Sequence, residues 1–244
     1  MPSFRRVIEI RTLGNQQQGS IKAALEDDYH HFRVELRVTD GTIKFAKGTA
    51  LRTPYTLCKN SVEALPSLEG KSAVSTSQAI NQITDAKLQC THQLDLAGLG
   101  LAALAKHIAR RRYDIEVPRH VNGQTTPSLS RDGDPYLCWT VDNDEIKSPD
   151  LFAGVSIGRG MASWASSHLD PEMTEATLVL RRCTMISVGR LRNLDLERHA
   201  HPWGRCYVQQ PERAIYATRI IGSTQDFTNR LNTLCSQDQN WLRL

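Results

Sequence analysis

Residues Phe32 to Val38, Phe-Arg-Val-Glu-Leu-Arg-Val, alternate apolar and charged side chains without a break. A period of two belongs to a strand with one buried and one solvated face, so Phe32, Val34, Leu36 and Val38 share one side while Arg33, Glu35 and Arg37 share the other. Thr39-Asp40-Gly41-Thr42 then carries an Asp-Gly turn signal, and Ile43 to Leu51 supplies a return strand. This hairpin is the firmest local feature of the chain, and an apolar strand face of this kind must be buried against another layer.

The rest of the pattern mixes strands and helices. Residues 4 to 12 alternate Val7, Ile8 and Ile10 with Arg6, Glu9 and Arg11, and a polar loop, Gly14 to Gly19, follows. Short helices are expected at Cys58 to Leu65 and within Gly70 to Thr84. Thr91 is read as the cap of a helix with Leu94, Ala97, Leu101, Leu104 and Ile108 on one stripe, ending at Arg110-Arg111-Arg112 where cations suit the negative helix end. Gly98 and Gly100 inside it suggest close packing against a neighbour. Tyr113 to Val117 and Tyr136 to Val141 read as strands. Asp170-Pro171-Glu172 opens a last long helix with Met173, Ala176, Leu180, Cys183 and Ser187 on its stripe. The expectation is an α+β fold in which an antiparallel sheet of hairpins packs against two long helices. Residues 1–112 form a hairpin-plus-helix half and 113–244 a second α+β half packed with it as one unit.

Composition narrows the classes. The chain has 244 residues, 40% hydrophobic and 23% charged, enough for a sizeable core. Its 30 Lys+Arg against 26 Asp+Glu leave +4, with the basic residues interleaved among acidic ones, so a nucleic-acid partner is not expected. The longest nearly apolar run, Leu94 to Ala105, contains Asp95 and is too short to span a bilayer. No membrane partner and a cytoplasmic location are expected. Six cysteines without a Cys-x-x-Cys pair read as free thiols. Gly-x-Gly-x-x-Gly, P-loop, Gly-x-Ser-x-Gly and His-Glu-x-x-His motifs are absent from the sequence.

Two clusters carry chemistry. Glu26-Asp27-Asp28-Tyr29-His30-His31 directly precedes the regular strand, and extending its alternation backward turns His30 inward with Phe32 and His31 outward with Arg33. A solvated acidic loop with one core histidine is the plainer reading of it. Cys90-Thr91-His92-Gln93-Leu94-Asp95 opens the central helix, where unpaired amides favour anions and lower a thiol's pKa, making Cys90 the expected reactive cysteine. A Cys-x-His pair there could bind zinc or iron, with Cys58 as a third ligand; a capped helix holding a small buried thiol is the alternative. His199, His201 and Trp203 lie in a Pro202-containing loop and read as exposed polar chain.

Together, the His-bearing strand start, Pro54-Tyr55-Thr56-Leu57-Cys58, Leu68-Glu69-Gly70 and Cys90-Thr91-His92-Gln93-Leu94-Asp95-Leu96 resemble a bacterial family known as a domain of unknown function, over roughly residues 5 to 108. That resemblance hints at aromatic-compound catabolism. More distantly, the hairpin, a cysteine, Gly70-Lys71-Ser72 and a cysteine opening a helix are similar to the NifU-type iron–sulfur scaffold domain. By position, Cys58 and Cys90 match two scaffold cysteines, with His92 near them; carboxylates and His30 stand where the first scaffold cysteine falls.

The functional expectation is a cofactor-independent acid–base enzyme, a lyase or isomerase acting on a small aromatic compound or carboxylate. His30 or His31 serves as the general base, an Asp, taken as Asp28, orients it, and His92 at the helix start holds an anionic group. The alternative is a non-catalytic metal- or iron–sulfur-binding protein using Cys58, Cys90 and His92, with His30, for zinc or iron. A third reading is a partner protein that oligomerises, with a homodimer as its simplest assembly.

Overall fold

The computed structural model describes residues 2–244. Four long strands run as a meander, β1 (Ser3–Gly14), β2 (Gln18–Asp27), β3 (His31–Thr39) and β4 (Thr42–Arg52). The β3–β4 turn places both Asp40 (φ 51°) and Gly41 (φ 67°) in the left-handed region, the type I′ geometry for which an Asp-Gly pair is suited. After 3₁₀ turns (Thr56–Leu68 and Ser77–Ala79) and the single turn α1 (Ile80–Ile83), helix α2 (Thr91–Ala105) crosses the sheet. The chain then returns as β5 (Arg110–Pro118) on the free edge of β1. A two-residue strand, β6 (Gln124–Thr125), precedes β7 (Ser128–Arg131) and β8 (Asp134–Cys138), which extend the sheet to the order β4-β3-β2-β1-β5-β7-β8, antiparallel throughout. Strands β9 (Thr140–Asp142) and β10 (Glu145–Ser148) join β6 in a small second sheet.

Helices α3 (Met161–His168) and α4 (Pro171–Ser187) complete the layer above the large sheet, and a last single turn, α5 (Pro211–Ala214), lies in the loop-rich C-terminal part. Asp170 caps α4 by accepting the Glu172 and Met173 amides, with Pro171 at the first helical position. α2 packs on β1, β2 and β3, while α4 packs on β1, β5, β7 and β8. This is the α+β architecture of a large antiparallel sheet against helices.

Strand alternation decides which side chains meet the helices. Phe4, Ile8 and Ile10 of β1, Ile21, Ala23 and Leu25 of β2, and Phe32, Val34 and Leu36 of β3 enter the main core with Leu94, Leu101 and Leu104 of α2 and Leu180 of α4. The opposite face is covered by the C-terminal segment: Val7 and Ala24 pack there with Phe227, Leu234, Cys235 and Leu242. Close packing of α2 follows from its glycines: a Cβ on Gly100 would lie 2.5 Å from Ile21 Cγ2 of the sheet, and one on Gly98 2.3 Å from the carbonyl oxygen of Ser77 in the preceding 3₁₀ turn.

Several boundaries differ from the sequence reading. β2 lies where only a polar loop and an acidic cluster are read, because its alternation (Ile21, Ala23, Leu25 against Lys22, Ala24, Glu26) is blunted by two alanines. α2 ends at Ala105, and Arg110-Arg111-Arg112 starts β5 instead of closing the helix. Cys90, not Thr91, is the N-cap, without a side-chain cap bond. The stretch read as one strand over Tyr136 to Val141 is divided at Trp139 between the two sheets. Residue 112 falls inside β5, so both halves share one sheet and one core.

Candidate functional site

The site is built on a register match. Arg6 of β1 lies directly opposite Asp27, the last residue of β2, on the helix-facing side. Both side chains are buried, Asp27 at 0% exposure and Arg6 at 1%, and Arg6 Nε donates to Asp27 Oδ2 at 2.9 Å while Nη2 makes a second, closer bond. Burial alone would raise the Asp27 pKa, but Arg6 and then His30 outweigh it and hold the carboxyl well below the usual range. Asp27 Oδ1 also closes the β2–β3 turn by accepting the amides of Tyr29 (2.7 Å) and His30 (2.8 Å).

That turn brings His30 back over the carboxylate. His30 Nδ1 stands 3.1 Å from Asp27 Oδ1 and 3.3 Å from Oδ2. An ionised carboxylate only accepts, so Nδ1 is the nitrogen that carries a proton toward Asp27, and in the neutral form of the ring the lone pair is on Nε2. His92, in the first turn of α2, places its ring centroid 3.9 Å from that of His30, and Phe32 stacks against both rings at 5.8 Å. His92 is buried and its Nε2 has no hydrogen-bond partner. Burial first, then His30 and Arg6, push its pKa well below the ordinary histidine value, so this imidazole is neutral. The strand start and the helix start meet in one constellation, Asp27, His30 and His92, with ligand-type atoms all within 4.8 Å of one another.

The other sequence candidates lie elsewhere. His31 points to the opposite face of the sheet, as alternation demands, but is buried there under the C-terminal segment. Its Nε2 is 2.9 Å from Asp238 Oδ2, its Nδ1 3.6 Å from Glu26, and Arg33 Nε donates to Asp238 at 2.6 Å. Asp28 does not orient either histidine. Its Oδ2 accepts from Arg190 Nε at 2.7 Å, its Oδ1 is buried without a partner, and burial, partly opposed by Arg190, pushes its pKa up to about 7.

The thiols correct the reactivity expected of Cys90. Burial pushes Cys90 up to about 12 and outweighs the lowering by nearby backbone amides, while burial also raises Cys58 well above the ordinary thiol value. Among the described residues, Cys58, Cys90 and His92 do not bring their ligand atoms within 4.8 Å of one another. His201 stacks on Trp203 at 4.6 Å in its half-exposed loop and joins no such group.

Two residues that build the site, Asp27 and its partner Arg6, are not singled out by sequence reasoning. Asp27 is passed over for its neighbour Asp28, though strand parity separates them. Arg6 carries a readable signal: it shares the parity of Ile8 and Ile10, so it is a charge on an apolar strand face, and such a charge needs a buried partner. A cleft of about 140 Å³ between α2 and α4 also has Arg6 in its lining. Comparison of the chain with protein-family models gives no match, nor does comparison with curated proteins.

Proposed function

We propose that Asp27, His30 and His92 form a proton-transfer centre of a lyase or isomerase that needs no nucleotide or flavin, works in the cytoplasm and acts on a small aromatic compound or carboxylate. The observation that carries this reading is the pairing of His30 Nδ1 with a buried, ionised Asp27 beside a neutral His92 whose Nε2 is unpartnered. In this reading, His30 Nε2 takes the substrate proton, and Asp27 fixes the tautomer and stabilises the imidazolium that results. Arg6 keeps Asp27 ionised, and His92 offers a hydrogen bond from an uncharged ring.

His30→Gln is the direct test. It preserves size and some hydrogen bonding, and should lower turnover by roughly 10²–10⁴-fold with little change in stability. Thermal-shift screening of aromatic acids and phenols supplies the substrate for that assay. Full activity in His30→Gln removes the proposed base.

One observation favours a second reading, metal binding without catalysis. Two imidazoles and a carboxylate within 4.8 Å, one imidazole nitrogen being buried and unpartnered, are donor types suited to zinc or iron. Arg6 opposes it by placing a cation on Asp27. Elemental analysis of the purified chain separates the readings: stoichiometric metal that is lost in His92→Ala supports the second, and metal lost only in Cys58→Ser or Cys90→Ser supports the cysteine set instead.

A further inference from the structure

The cleft between α2 and α4 has apolar walls and an uncompensated cation. Ile8 and Leu25 form its floor, Leu96 and Leu99 one wall and Val179 the other, around a volume of about 140 Å³. Apolar cavities of about 150 Å³ accept a benzene ring, so the space suits a single ring. Its charged lining nearly cancels in pairs. Arg182 grips Asp95 through two bonds (2.5 and 3.2 Å), Arg6 holds Asp27, and Glu175 accepts from the Tyr113 hydroxyl at 2.5 Å with Lys106 nearby.

Arg181 is left over. Its Nε and Nη2 donate to the carbonyls of Ile157 and Gly158, each at 2.6 Å, and it makes no ion pair among the described residues. Those carbonyls fix the guanidinium in place without neutralising it. Burial, followed by the repulsion of Arg182 and Arg205, lowers its pKa, as expected of a cation short of an anion.

We infer that this cleft binds a carboxylate carried on one small ring, with Arg181 as its counter-ion and the ring held between α2 and α4. The inference goes beyond the proton-transfer reading and does not depend on it, because binding is measured without turnover. If both hold, Arg6 connects them, since it lines the cleft and also holds Asp27.

Isothermal titration calorimetry of the full chain with benzoate tests the site, with benzamide as its uncharged counterpart and acetate as the anion without a ring. Benzoate should bind at least ~10-fold more tightly than either, because a charge-assisted contact and an apolar one are both needed. Arg181→Gln should reduce benzoate to the benzamide level and leave benzamide unchanged, whereas Arg181→Lys should retain part of the preference. Ala162 lines the cleft at an exposed position, so Ala162→Trp should block both ring ligands without disturbing the core. Equal affinity for benzoate and benzamide, or benzoate binding unaltered in Arg181→Gln and Ala162→Trp, would overturn the assignment. So would the absence of benzoate binding at millimolar concentration. Should Arg181→Gln lower the melting temperature by releasing the Ile157–Gly158 loop, Arg181→Lys and Ala162→Trp still decide the question.

Discussion

Asp27→Asn removes one negative charge from a side chain at 0% exposure and leaves Arg6, at 1%, buried without its counter-charge. The amide oxygen can still accept the Tyr29 and His30 amides that close the β2–β3 turn, so the local backbone has no reason to change. On the Arg6 side, however, two sets of donors now face each other. Removing one partner of a buried ion pair costs roughly 3–5 kcal/mol. In a chain of this size each kcal/mol moves the midpoint by about 2–4 °C, giving a fall of roughly 6–20 °C. Urea unfolding followed by circular dichroism, with thermal melts alongside, measures it. Arg6→Met should cost a comparable amount, and the double variant should cost clearly less than the sum, because it strands no charge. The pH dependence has a definite sign: the folded pKa of Asp27 lies below its unfolded value of 3.8, so its contribution is full above that value and lost as pH falls through the folded one. The gap between wild type and Asp27→Asn should therefore shrink on acidification. An Asp27→Asn variant within about 1 kcal/mol of wild type at neutral pH, or strictly additive single variants, would refute the claim that this pair is an interdependent buried unit.

Other outcomes follow from the same geometry. Cys138, the exposed thiol, should react with an alkylating reagent well before Cys90 and Cys183, both buried and pushed up to about 12 and about 11; mass spectrometry of partially labelled protein reads the order. Asp28 has a folded pKa raised to about 7, so its presence weakens the fold as pH rises from its unfolded value toward 7. The melting temperature of Asp28→Asn relative to wild type should accordingly rise across that interval, and a constant difference would contradict the assignment. Gly98→Ala places a methyl 2.3 Å from the Ser77 carbonyl oxygen and should cost about 1–3 kcal/mol by chemical denaturation, whereas Gly70→Ala meets nothing within 4 Å and carries only the strain of its positive φ.

The parts of the fold that were legible are those whose signal is local. Period-two alternation with an Asp-Gly turn defines β3 and β4, and Asp170-Pro171 marks the start of α4, because each depends on neighbours within a few residues. β2 escaped because Ala23 and Ala24 give little contrast between faces, and the start of β5 was misplaced because Arg110-Arg111-Arg112 also suits a helix end, whereas its alternating part, Tyr113 to Val117, is legible. In the strand, tertiary pairing overrides that preference: Arg112 reaches Glu9 and Asp114, and Arg111 reaches Asp132 and Glu172. The meeting of Asp27 with Arg6 depends on β1–β2 register, which no local pattern encodes once β2 itself is unseen.

The two adjacent histidines show where parity stops being sufficient. Alternation assigns His30 and His31 to opposite faces, and the structure does the same, with His30 on Phe32 and His92 and His31 beside Arg33. Parity says nothing about what covers the outward face, however, and the C-terminal segment that does so, with Phe227, Leu234, Cys235 and Leu242 turned inward, is built of short 3₁₀ turns and loops instead of a long regular element. Because Asp238 arrives from that segment, His31 becomes a buried link between Glu26 and Asp238, while Cys235 donates its amide to Glu26 at 2.8 Å. His30 instead pairs with a carboxylate of its own turn, three residues away, and keeps Nε2 free of any carboxylate contact. The two imidazoles thus differ in the origin of their acidic partners. Asp238 ties His31 to a distant segment and closes it off, whereas Asp27 meets His30 from one side and leaves its Nε2 without a carboxylate contact.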